Sequence, residues 1–294
     1  TIDFTDAVYT YKTSNNAPTF ELNNHLTVTG DFIAPAAMKI ANKSCLIFQG
    51  TGLKSINILS SISGSGSIKF QDQNGRWQLI NNLTAVSNDV YLTKGTFNTA
   101  GKTLTIRRFI SNSGEPRTLQ LSSSKVQLRC VSLSSNGFWD IADPSNMILN
   151  SGSSEIEFYA ASNNIKVTMK GGNLTYNKIK LNMANSSPTS TSSVSNLTIT
   201  GDNTIGTLNV TKGNLLLTGS NTFTSSVSLA AKARHRFTYG TTQYLESTTA
   251  LNAPATQANP IYLQSTSTSN YASFSKTSGI VCTDYVYING IRAI

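Results

Sequence analysis

The chain has 294 residues, 13% of them charged and 38% hydrophobic, and its 23 Lys+Arg against 14 Asp+Glu give a formal net charge of +9. Short apolar runs along the whole length exclude wholesale disorder, which needs low hydrophobicity and high net charge, and the abundant Ser, Thr, Asn and Gly favour turns and polar strand faces over helices. The basic residues are scattered, clustering only at Arg107-Arg108 and in "KARHRF" (Lys232 to Phe237), so the positive excess does not mark a nucleic-acid-binding element.

Residues 1–25 read as an N-terminal extension or cap, and the opening at Thr1 in place of Met suggests a processed chain or a fragment. From residue 26 to 249 hydrophobic alternation at period two recurs in stretches bounded by Gly, Asn, Ser or Asp. Examples are "HLTVTG", "SIKFQDQNGRWQLI", "NDVYLTKGTF", "TLTIRRFI", "KVQLRCVSL", "SEIEFYA", "NIKVTM", "NKIKLNM" and "NLTITG". Two stretches, "APAAMKIANK" (Ala34 to Lys43) and "SLAAKARHRF" (Ser228 to Phe237), could instead form one or two helical turns. "MANSSPTSTSSVS" (Met183 to Ser195) reads as a surface loop, because strands of the same kind flank it. Beyond Ala250 the texture grows richer in Tyr and Pro, and 250–294 reads as a closing or joining β segment expected to continue past Ile294.

The body repeats itself. Leu197, Ile199, Gly201 and Asn203 recur eighteen residues later as Leu215, Leu217, Gly219 and Asn221, while Leu208 and Val210 recur nineteen later as Val227 and Leu229. A one-residue turn insertion accounts for the slip. "LTKG" (Leu92 to Gly95) returns as "VTKG" (Val210 to Gly213). A period near 20 with two or three short strands predicts an all-β fold, a β-solenoid of about 10 to 14 coils stacked roughly 4.8 Å apart. Leu197, Ile199, Leu208, Val210, Leu215, Leu217, Phe223, Val227 and Leu229 would point inward. The structural alternative is a pair of tandem antiparallel β-sandwiches, which the same alternation also fits.

The C-terminal stretches "YGTTQYL", "NPIYLQS", "ASFSKTSGIV" and "DYVYINGIRA", with the repeats upstream, resemble segments of phage tail fibre and tailspike proteins and of large repetitive bacterial surface proteins. The resemblance covers roughly residues 80 to 294 and implies a right-handed parallel β-helix similar to the pectate-lyase-like superfamily. It implies a non-enzymatic structural and attachment rod on a virion or cell surface, with a homotrimer and contacts to other virion or envelope proteins or a cell-surface glycan. An exported bacterial adhesin or envelope repeat protein is the second reading, and a tailspike-like polysaccharide depolymerase the third.

No catalytic motif of a known family matches. For a depolymerase the residues to consider are Glu155 and Glu157, two apart on a strand and about 7 Å from each other, with Asp140 and Asp143 of "GFWDIADP". Ile156 and Phe158 take the inward positions, which places the two glutamates on the solvent side. Trp139, with a face suited to sugar rings, and Arg234, His235 and Arg236 are the candidate glycan or partner contacts, although burial is the commoner fate of a tryptophan. The only histidines, His25 and His235, have no ligand-spaced partners, so neither a metal nor another cofactor is expected. Cys45, Cys130 and Cys282 lie far apart beside apolar residues and read as buried small hydrophobes. No stretch is apolar and long enough to span a bilayer. Asp202, where the second copy of the repeat has Ser220, reads as the corner of a coil.

Overall fold

Parallel strand pairing organises the chain. The computed structural model describes residues 19–130, 137–160, 165–183, 196–279, 281 and 283–294; Cys282 and most of the Ser/Thr-rich 183–195 stretch lie outside them, as does most of the proposed N-terminal cap. Among the described residues there is no helix, and the parallel sheet curls nearly to closure. Two compact units divide the chain, one formed by the residues up to Arg129 with Asp143–Ser154, the other by Cys130–Ala142 with Glu155–Ile294.

In the first unit Leu26–Val28, Cys45–Phe48, Ser67–Leu79, Leu83–Asn98, Leu104–Ile110 and Lys125–Arg129 pair in succession, each parallel to the next. A separate three-stranded sheet joins Thr19–Leu22, Lys39–Asn42 and Ile62–Ser63. Because parallel register sets like residues over like, the core is built in columns. Phe48 lies over Phe70 in register with ring centroids 5.1 Å apart, close to the strand spacing, while Phe97, whose register partner is Trp77, also stacks on Phe70 at 4.3 Å, and Trp77 packs 4.8 Å from Phe48.

In the second unit Val167–Lys170, Leu197–Thr200, Leu215–Leu217, Arg234–Phe237, Ile261–Ser265 and Val286–Asn289 form one succession. Thr175–Met183, Thr204–Val210 and Thr222–Ser228 form another. The internal echo is this register: Leu197 pairs with Leu215, Ile199 with Leu217 and Leu208 with Val227. All nine residues expected inside are buried. The extra residue of the second copy sits within the strands, where the register shifts between Ile205 and Thr207, and not in the turn. A bulge there lets both flanking apolar pairs keep facing the core.

Two expectations are corrected. Among the described residues the named strands pair in parallel, the isolated Thr256–Asn259 bridge being antiparallel, which excludes antiparallel sandwiches, since parallel neighbours need a long crossover and not a hairpin. Neither suspected helical stretch is a helix: Lys39–Asn42 and Arg234–Phe237 are strands, with a turn closed by Met38 N–H donating to the Pro35 carbonyl at 3.0 Å in the first. Pairing with neighbours on both sides outweighs a weak local preference.

The corners carry side-chain ladders. Asn203 N–H donates to Asn221 Oδ1 (3.1 Å) and Asn221 N–H to Gln243 Oε1 (3.4 Å), three buried amides in a row. At the neighbouring position Asp202 N–H donates to Asn173 Oδ1 (2.7 Å), Ser220 N–H to Asp202 Oδ1 (2.7 Å) and Thr242 N–H to Ser220 Oγ (3.0 Å). The buried amides thus accept the backbone donor of the preceding copy, and the Asn173, Asp202 and Ser220 side chains accept that of the following one. The spacing leaves no room for side chains beside the amides: a Cβ on Gly219 would fall on the Gly201 carbonyl, and Gly201 itself adopts φ 92°.

Candidate functional site

Glu155 and Glu157 lie on Glu155–Ala160, paired in register with Thr175–Met183, so Glu155 faces Lys178 and Glu157 faces Lys180. Lys178 Nζ is 2.6 Å from Glu155 Oε2 and Lys180 Nζ is 3.2 Å from Glu157 Oε1. Asn182 Nδ2 donates to the same Glu157 Oε1 at 3.0 Å. The pair does not share an open face. Glu157 is 1% exposed, a correction to its expected solvent position, with Lys180 and Asn182 of the next strand in contact with its carboxylate. Alternation assigned the face correctly but could not report what covers that face.

Asp140 and Asp143 serve separate structural ends. Asp140 pairs in register with Lys170, whose Nζ lies 2.9 Å from Oδ2, while Oδ1 accepts the Ala142 N–H at 3.1 Å. In the other unit Asp143 Oδ1 accepts the Ser145 N–H at 2.9 Å, and hydrogen bonds from Ser145, helped by the charge of Arg117, hold its carboxyl below the ordinary range.

Two of the four suggested glycan contacts are inside. Trp139 is fully buried, its Nε1–H donating to the Tyr176 hydroxyl at 3.1 Å, with the rings edge to face at 6.2 Å. The Tyr176 hydroxyl in turn donates to the Gly171 carbonyl at 2.7 Å. His235 is also fully buried, in a column between Leu215 and Leu263. Burial pushes its pKa down to about 4, and its ring contacts the Ala230 carbonyl at 3.3 Å through Nε2. A ligand at the surface reaches neither side chain. Arg234 and Arg236, on the opposite face of the same strand, are partly exposed, and burial lowers the Arg236 pKa, assisted by the charge of Arg234.

Sequence reasoning missed what stands beside those arginines. Arg234 pairs in register with Tyr262 and Tyr262 with Tyr287, while Arg236 pairs with Gln264 and Gln264 with Asn289. The two tyrosine rings are parallel within 11° at 5.1 Å, and Tyr287 is 61% exposed. The spacings are longer here than in the detected repeat, so no period led from Arg234 to the tyrosines. Also missed was Asp89, the buried acceptor for both Arg107 and Arg108. Arg107 Nε and Nη2 each lie 2.7 Å from its oxygens, Arg108 Nε lies at 3.0 Å, and Arg108 Nη2 also donates. Burial alone would raise the Asp89 carboxyl, but hydrogen bonds from Arg108 and Arg107 outweigh it and hold the group below the ordinary range. The basic cluster is therefore partly neutralised from the preceding strand, eighteen residues before Arg107.

Cys45 and Cys130 are buried, and burial raises the Cys45 pKa. Among the described residues no group of His, Cys, Asp and Glu could hold a metal ion, and no helix is long and apolar enough to cross a membrane. No family model, no curated protein and no solved structure matches this chain.

Proposed function

We propose that the protein is a β-solenoid of the right-handed parallel β-helix kind, acting as a non-enzymatic structural and attachment element of a phage tail fibre or similar surface appendage. The observation that supports this most is the in-register stacking of strands with a side-chain acceptor for each successive corner, which spends the polar residues on holding coils together. The carboxylates that could have done acid–base chemistry are engaged by Lys178, Lys180 and Lys170, which favours a scaffold over a depolymerase. The strip of Arg234, Arg236, Tyr262 and Tyr287 is the surface this reading assigns to attachment, either to a cell-surface glycan or to a neighbouring copy in a homotrimer.

The bacterial adhesin reading uses the same scaffold and differs in what carries it. Antibodies raised against the folded protein, applied to purified virions and to intact cells, decide the matter. Labelling of virions supports a tail fibre and labelling of intact cells an adhesin; antigen confined to the cell interior overturns both.

A further inference from the structure

An amine, a carboxamide and a sheltered carboxyl group meet at one point in the second unit. Glu157 is directly opposite Lys180 in register, and its side chain is 2% exposed. Its Oε1 takes both neighbours, Lys180 Nζ at 3.2 Å and Asn182 Nδ2 at 3.0 Å. Lys180 and Asn182 are two residues apart on one strand, so their side chains leave the same face and reach the same oxygen.

The Lys180 ammonium touches the Glu157 carboxylate and can pass it a proton, leaving a neutral amine and a neutral acid as the reacting pair. In that form Nζ carries a free electron pair and is a nucleophile. The acid, already in contact with the Asn182 amide, is placed to polarise it and to relay protons. Contact with a common oxygen also holds the two reacting groups together, which is the larger part of what such a slow reaction needs.

We propose that Lys180 and Asn182 become joined by an intramolecular isopeptide bond, with Glu157 as the acid–base group. The Nζ electron pair attacks Cγ of Asn182, and the carbonyl π pair moves to Oδ1, which takes the Glu157 proton. Glu157 then accepts a proton from Nζ and delivers it to Nδ2. The Cγ–Nδ2 bond breaks, Oδ1 returns its proton to Glu157 as the carbonyl re-forms, and Nδ2 leaves as ammonia. One C–N bond forms and one breaks, nothing is oxidised or reduced, and Glu157 finishes as it started. The product has no charge at Lys180 and no longer offers the peptide bond after it to lysine-specific proteases, a useful property on an exposed appendage.

Intact mass of the purified, denatured protein tests the bond directly: the expected value lies about 17 Da, one ammonia, below the sequence mass. Tryptic mapping should show no cleavage after Lys180 and should place the deficit on the peptide holding Lys180 and Asn182. Lys180→Arg and Glu157→Gln should restore the full mass, and Asn182→Asp should lose about 18 Da, since an acid expels water in place of ammonia. A succinimide at Asn182 also lacks ammonia, but it would persist in Lys180→Arg and leave Lys180 cleavable. The proposal is overturned by a full sequence mass with normal cleavage after Lys180, by a deficit that survives Lys180→Arg, or by a link to Asn209, which faces Lys180 on its other side. The map of the unaltered protein decides the question even if a variant fails to fold.

Discussion

Arg117 in the first unit and His235 in the second are both basic side chains enclosed by strands, yet the fold treats them in opposite ways. Arg117 spends its guanidinium donors on neutral oxygens. Nε donates to Ser111 Oγ (2.8 Å), Nη1 to the carbonyls of Glu115 (3.0 Å) and Ser145 (2.7 Å), and Nη2 to the carbonyls of Ser111 (3.0 Å) and Asp143. His235 has the Ala230 carbonyl on one nitrogen and no partner on Nδ1. A guanidinium cannot shed its proton, so corner carbonyls must replace its water. An imidazole can, and the apolar column of Leu215 and Leu263 leaves it neutral, with a pKa pushed down to about 4.

Breaking the first arrangement should have the larger effect. Arg117→Met fills similar volume but leaves four carbonyls and a serine hydroxyl without their donor, and a loss of roughly 3–5 kcal/mol is expected in urea unfolding. Arg117→Lys should recover little of it, because one ammonium cannot reach acceptors arranged around a planar fork. Full recovery by lysine would show that charge alone matters at this corner.

The histidine should reveal itself through pH. Its native pKa lies below the unfolded value near 6.5, so the unfolded chain takes up the proton first and stability falls as pH falls from about 6.5 to 4. The shift corresponds to about 3 kcal/mol lost across that window at roughly 1.4 kcal/mol per unit, with no further loss from this group below it. His235→Leu, which matches its column neighbours, should remove that part of the slope and cost little at neutral pH. Chemical denaturation of both proteins at pH 7.5, 5.5 and 4.5 measures the difference, and equal slopes would mean the imidazole is hydrated.

How far these sites were legible depends on which neighbour matters. Contacts between successive copies of a repeat could be read, because the offset of eighteen residues predicted the Leu197–Leu215 and Asn203–Asn221 pairs. Contacts made where the circuit lengthens could not: Arg117 meets Asp143 and Ser145 across spacings of 26 and 28 residues. Alternation gave the face of Glu157 but not the depth, which depends on the strand before and the strand after, and it did not separate buried His235 from Arg234 and Arg236, which were expected at the surface together. The buried amides test the legible part. Asn221→Ala in the middle of the row removes acceptor and donor between Asn203 and Gln243, and roughly 1–3 kcal/mol of stability should go with them. A loss within experimental error would show that water replaces the amide.

The smallest effect is expected at Asp202, the one acidic residue of the repeat's turn. Its oxygen accepts the Ser220 N–H, and Ser220 Oγ in turn accepts the Thr242 N–H, so two different side chains do the same work at successive corners. What the position requires is an acceptor on a short side chain, not a charge. Asp202→Ser should therefore change stability by less than about 0.5 kcal/mol, whereas Asp202→Ala, which leaves the Ser220 donor to water at an exposed corner, should cost about 1 kcal/mol. If serine proved as costly as alanine, the carboxylate would have a role that the second copy of the repeat, with Ser220 in its place, does not share.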